Sequence, residues 1–74
     1  MTLDQLSKNQ KARIVAVLGS GKLRKRLLEM GLTPGTIIGI QKIAPLNDPI
    51  EIYVRNYVLA FRKSIAKMIV VEVL

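Results

Sequence analysis

The run Ile50-Glu51-Ile52-Tyr53-Val54-Arg55 alternates apolar and polar residues at a period of two, the spacing that sends every second side chain to one face of a strand. It commits Ile50, Ile52 and Val54 to a core and leaves the residues between them for solvent. Asn56 reads as a turn residue, and Tyr57 to Arg62 returns as the hairpin partner with Leu59 and Phe61 facing in. The rest of the chain must supply the sheet that this hairpin joins.

Three more runs do so. Thr36 to Ala44 reads as a strand with Ile38 and Ile40 inward and with Gly39 leaving room for a bend or bulge. Ala12 to Leu18 is almost wholly apolar, as expected of a strand covered on both sides or packed against a helix. Ile69 to Leu74 is the last strand, after one helical or 3₁₀ turn over Lys63 to Met68. The composition agrees: one Phe, two Tyr and no Trp leave burial to Ile, Val and Leu, and β-branched residues favour strands. Loops fall where ladders cannot continue, at Ser7 to Lys11 and at Ala44-Pro45-Leu46-Asn47-Asp48-Pro49. Leu3 and Leu6 form a short apolar clamp at the start, with Thr2 placed to cap it.

Helical spacing appears once. Leu23, Leu27 and Met30 form a stripe at i, i+4, i+7, which predicts a helix of two to three turns, and Gly31 is placed to stop it in the left-handed conformation. Thr33-Pro34-Gly35 marks a turn directly afterwards. Five short strands with one helix inserted after the first predict a mainly β, small closed barrel of the SH3-like type, with residues 1–74 as one domain. Closure would leave Ile37, Tyr53, Val58, Val70 and Leu74 on the outer face, enough apolar surface to suggest a partner or self-association into a homo-oligomer.

Several functions are excluded or disfavoured. Without Cys or His there is no thiol chemistry, no imidazole for acid–base work and no zinc site of the usual kind, so an enzyme is not expected. Gly19-Ser20-Gly21-Lys22 falls short of a phosphate-binding P-loop, which would need Gly at Ala16 and Ser or Thr at Leu23. The dinucleotide fingerprint fails because Arg24 stands at its third glycine. Asp48 and Glu51 are two carboxylates close in sequence, too few for a hard-cation site, and neither a metal nor a cofactor is expected. No apolar run approaches the roughly twenty residues of a bilayer span, and MTLDQLSKNQKAR lacks a signal-peptide core, so a cytoplasmic location without membrane insertion is expected.

The formal charge of +7 favours acidic partners. Its densest cluster is Lys22, Arg24, Lys25 and Arg26, which crowd the first turns of the helix while Glu29 lies near its end. The macrodipole prefers the reverse order, so the cluster reads as a partner-binding surface placed against local preference. Leu46, apolar at a polar loop tip, is the second candidate contact. A nucleic-acid-binding barrel is the alternative, but single-strand binders usually offer several aromatic platforms and only Tyr53 is placed outward on a well-defined strand.

Three segments together carry a family resemblance. LRKRLLEMGLTPGT, APLNDPIEIYVRNYVLAFR and IAKMIVVEV resemble the FeoA family of ferrous-iron transport accessory proteins. The matching elements are a helix ending in Leu-x-x-Met-Gly-Leu-x-Pro-Gly (Leu27 to Gly35), an Ala-Pro-x-x-Asp-Pro loop (Ala44 to Pro49) and an apolar-x-apolar-Arg hairpin end (Leu59 to Arg62). The resemblance implies a cytoplasmic, non-enzymatic SH3-like domain that works with the transporter FeoB, contacting its cytosolic GTP-binding part. Arg24 and Arg26 would then meet an acidic surface of that transporter, and an arginine offered in trans to its GTPase would be Arg24, Arg26, Arg55 or Arg62. The chain departs from the family pattern at Asn9 and Asn56, where glycine is expected; Asn is among the commonest substitutes at positive φ.

Overall fold

Strands β1 (Lys11–Val17), β2 (Ile37–Ile43), β3 (Ile50–Val54), β4 (Tyr57–Phe61) and β5 (Ile69–Val73) form one antiparallel sheet in the order β4-β3-β2-β1-β5. Helix α1 (Gly21–Glu29) lies between β1 and β2, and the single turn α2 (Lys63–Ala66) lies between β4 and β5. Two 3₁₀ turns, Leu3–Gln5 and Pro45–Asn47, complete the elements. The computed structural model describes the backbone of residues 1–74 and every side chain except that of Asn47.

The sheet curls because two strands carry an extra residue. The β1–β5 register slips between Ile14 and Ala16, and the β2–β3 register slips between Ile40 and Lys42. Such bulges bend the strand and increase its local twist. The bulge in β2 therefore falls at Gln41 and not at Gly39, and the Gln41 Oε1 atom is buried with no partner among the described residues.

Curling wraps one face around a core in which Ile14, Ile38, Ile52, Val54, Ile69 and Leu27 are nearly inaccessible. Ile50, Phe61 and the half-buried Leu59 join it, as alternation predicts. The run from Ala12 departs from expectation: Val15 and Leu18 are exposed, so β1 buries only one face. The helix sits at the end of that strand, leaving its outer side uncovered.

The expected closure of the barrel does not occur, since β4 and β5 are the two edges of the sheet and do not pair. The outer side of β5 is covered instead by the N-terminus, where Thr2 bridges Val70 and the Val71 amide donates to the Met1 carbonyl at 2.8 Å. Val70 is thereby half-buried, whereas Ile37, Tyr53, Val58 and Leu74 are exposed as expected. No described backbone group outside the sheet bonds to β4, which keeps an unpaired edge.

Backbone strain is placed in the turns. Asn9 adopts φ 71, the conformation expected where the family pattern has glycine. In the β3–β4 turn the left-handed residue is Arg55, at φ 54, and not Asn56. The five-residue strands pair Val54 with Tyr57, so Arg55 takes the first central position of a two-residue turn, where the primed hairpin turns require positive φ.

Candidate partner-binding surface

Helix α1 begins at Gly21 (φ 77) after Gly19 (φ 88) turns the chain out of β1, with Ser20 as an extended N-cap whose side chain makes no capping bond. It ends in a Schellman motif: the Leu32 amide donates to the Leu27 carbonyl and the Gly31 amide to the Leu28 carbonyl, with Gly31 at φ 99. A Cβ at Gly31 would stand 2.7 Å from the Tyr57 hydroxyl, which donates to the Met30 carbonyl. The helix end is thus bolted to the start of β4, and Thr33-Pro34-Gly35-Thr36 turns into β2 with Gly35 at φ 93.

The rotation of α1 about its axis differs from the predicted stripe. Leu27 is buried, Leu28 and Met30 are half-buried, but Leu23 is 42% exposed. The inward direction runs closer to Leu27 and Leu28, which lets Arg24, itself exposed, reach back to the end of β1. Its Nε donates to the Val17 carbonyl at 3.0 Å, so Arg24 ties the helix to the last residue of β1. Of the predicted cluster, Lys22, Lys25 and Arg26 remain as exposed cations without an ion pair among the described residues, where the one salt bridge is Arg13–Glu72. They share the outer side of α1 with Glu29.

Leu46 is 93% exposed and adopts φ 67, so it does not fold over the mouth of the sheet. The hairpin turn after Val54 is beside Gly31, whereas the Leu46 loop leads into Ile50, and β3 separates the two by about 13 Å of strand. The Leu46 loop and the C-terminal end of α1 thus lie at opposite ends of β3.

Asp48 is occupied structurally, its Oδ1 accepting the Lys63 amide at 3.2 Å at the start of α2. Glu51 lies on β3 in register with Ala60. Among the described residues no three acids come together, and no helix is long and apolar enough to cross a membrane. Arg55 and Arg62 are exposed at opposite ends of the β3–β4 hairpin. A trough around Gly39, lined by Lys11, Ile37, Tyr53 and Arg55, was not anticipated; its one sequence signal is a glycine among the isoleucines of a strand.

Comparison with known proteins agrees with this architecture. The family model described as FeoA domain matches residues 1–73. A fusion of Fe(2+) transport protein A with the Fe(2+) transporter FeoB from Porphyromonas gingivalis is 39% identical over 74 residues, covering all of this chain and 9% of that protein. The solution structure of iron(II) transport protein A from Clostridium thermocellum superposes with a TM-score of 0.94 at 40% identity, covering 100% of this chain and 46% of that one. The zinc-complexed FeoA of Stenotrophomonas maltophilia, described as an SH3 domain protein, gives a TM-score of 0.85 at 28% identity over 97% of this chain and 89% of that one. The fold is SH3-like, with its sheet left open.

Proposed function

The chain belongs to the FeoA family, which is linked to ferrous-iron transport, and from that premise we propose that it is a cytoplasmic accessory protein of a FeoB-type transporter. It acts by binding the transporter's cytosolic GTP-binding part and carries out no chemistry of its own. The observation that carries this reading is the relative in which a segment equivalent to the whole chain is joined to a FeoB transporter in one polypeptide. Covalent linkage keeps two partners at high effective concentration, which is useful where they work together.

The contact surface in this proposal is the outer side of α1. Lys22, Lys25 and Arg26 stand exposed and unpaired among the described residues; Lys22 sits at the helix start against the dipole, whereas Arg26, expected in the first turns, falls in the last turn where a cation suits it, and long-range attraction to an acidic patch would speed and orient docking. Arg24 is left out of the surface because it is spent on the Val17 carbonyl. Leu46 would be a separate, apolar contact at the far end of β3.

The test is a chemical-shift titration of the protein with the transporter's cytosolic domain, repeated with Lys22, Lys25 and Arg26 all changed to Glu. All three side chains are exposed and Glu is a good helix former, so the variant keeps its fold. At physiological salt the affinity should fall at least tenfold. Unchanged affinity would remove α1 from the proposal, and no binding of the wild-type chain would remove the partner. Single-turnover GTP hydrolysis by that domain, with and without the protein, separates a docking role from an arginine supplied by Arg26, Arg55 or Arg62.

A further inference from the structure

The outer side of the sheet carries a trough that the α1 reading does not use. Its wider part, about 420 Å³, is lined by Lys11, Ile37, Ile38, Gly39, Tyr53 and Arg55. A narrower part of about 160 Å³ continues past Asn9, Gln10 and Ile40 and shares Lys11, Gly39 and Tyr53 with the first. The cause is local. Gly39 pairs with Lys11 on one side and Tyr53 on the other, so its missing side chain leaves a gap between two long ones.

The fold does not require that glycine. Its φ is not in the left-handed region, and a Cβ there would lie 3.8 Å from the Gln10 carbonyl oxygen and from Lys11 Cγ, and 3.9 Å from Tyr53 Cδ2. These are ordinary contacts. Glycine weakens a strand interior, and the extra residue of the nearby bulge is Gln41 rather than Gly39, so close approach of another backbone is a use that fits this glycine.

The lining specifies what approaches. Tyr53 is 51% and Ile37 42% exposed, giving two apolar surfaces beside the glycine floor. Lys11 and Arg55 are exposed cations with no ion pair among the described residues, and no carboxylate lines the trough. The adjacent Arg13 is already neutralised by Glu72 at 2.9 Å. The floor from Ile37 to Ile40 is about 10 Å long, the reach of three or four extended residues. One tyrosine is a poor platform for a run of nucleobases, which stack on successive aromatics.

We propose that this trough docks a short, extended acidic segment of a partner protein, with carboxylates on Lys11 and Arg55 and an apolar side chain against Tyr53 and Ile37 above Gly39. The site is independent of α1. It stands whether or not the helix cations bind the transporter.

The experiment titrates the full chain with a fluorescein-labelled octapeptide alternating Glu with Leu and Phe, with the same peptide carrying Gln for Glu, and with a labelled oligouridylate. Amide shifts report the location. Shifts are expected at Lys11, Ile37, Gly39, Tyr53 and Arg55, with at least tenfold weaker binding of the Gln peptide and of the Gly39→Val variant, which fills the floor. Arg55→Asn provides a second variant safe for the fold, since Asn suits positive φ better than Arg; a three- to tenfold loss is expected. The proposal is overturned by no binding at millimolar peptide, by shifts confined to Lys22–Arg26, by wild-type affinity in both variants, or by oligouridylate occupying the trough more tightly than the peptide.

Discussion

The two basic regions of this molecule are built in opposite ways. On α1 the cations lie close together in the chain, Lys22, Arg24, Lys25 and Arg26, and although all four are exposed, only Arg24 is tied back to the fold, through the Val17 carbonyl. Around Gly39 the cations come from β1 and the β3–β4 turn, and only sheet register brings Lys11 and Arg55 to one trough. A cluster that is dense in sequence overstates the free charge, because part of it serves the fold. A surface assembled by register is missed until pairing is known.

The sharpest way to break this contrast is to treat the glycines alike. Gly31→Ala forces a side chain at φ 99 against the Tyr57 hydroxyl, and should destabilise the protein by about 2–3 kcal/mol, lowering Tm in a thermal melt by about 10–20 °C. A smaller effect is expected from Arg24→Ala, which removes the bond to the Val17 carbonyl and should cost about 1 kcal/mol in urea denaturation while leaving partner affinity close to wild type. If affinity falls as far as in the triple reversal of Lys22, Lys25 and Arg26, the separation of Arg24 from the other three cations is wrong. Smallest is Gly39→Ala, where the new methyl meets only ordinary contacts; stability should stay within about 0.5 kcal/mol of wild type or rise slightly by the same denaturation measurement. A large loss there would make Gly39 a structural residue and remove the argument that its gap is kept for a ligand.

Much of the fold was legible because burial here follows simple periods. Alternation in Ile50, Ile52 and Val54 placed β3, and the helix stop at Gly31 was marked by the residue itself. What escaped depends on relations between elements. Leu23 fits the same helical stripe as Leu27, and only packing on the end of β1 decides that Leu28 is covered and Leu23 is not. Arg55 rather than Asn56 adopts positive φ because the Val54–Tyr57 pairing fixes which turn residue comes first. Gly39 suggested a bulge, yet the extra residue is Gln41, since a register slip is a property of two strands together. The sites followed the same rule: the helix charges were visible, their division was not, and the trough needed three strands in register.

The sheet's two edges have different fates, and that asymmetry limits how copies can add. Met1 and Thr2 cover β5 at Val70 and Val71, whereas among the described residues no backbone group outside the sheet bonds to β4. Two copies meeting through the β4 edge would use it up on both sides, so further growth by strand addition would have to go through β5, where the N-terminus stands in the way.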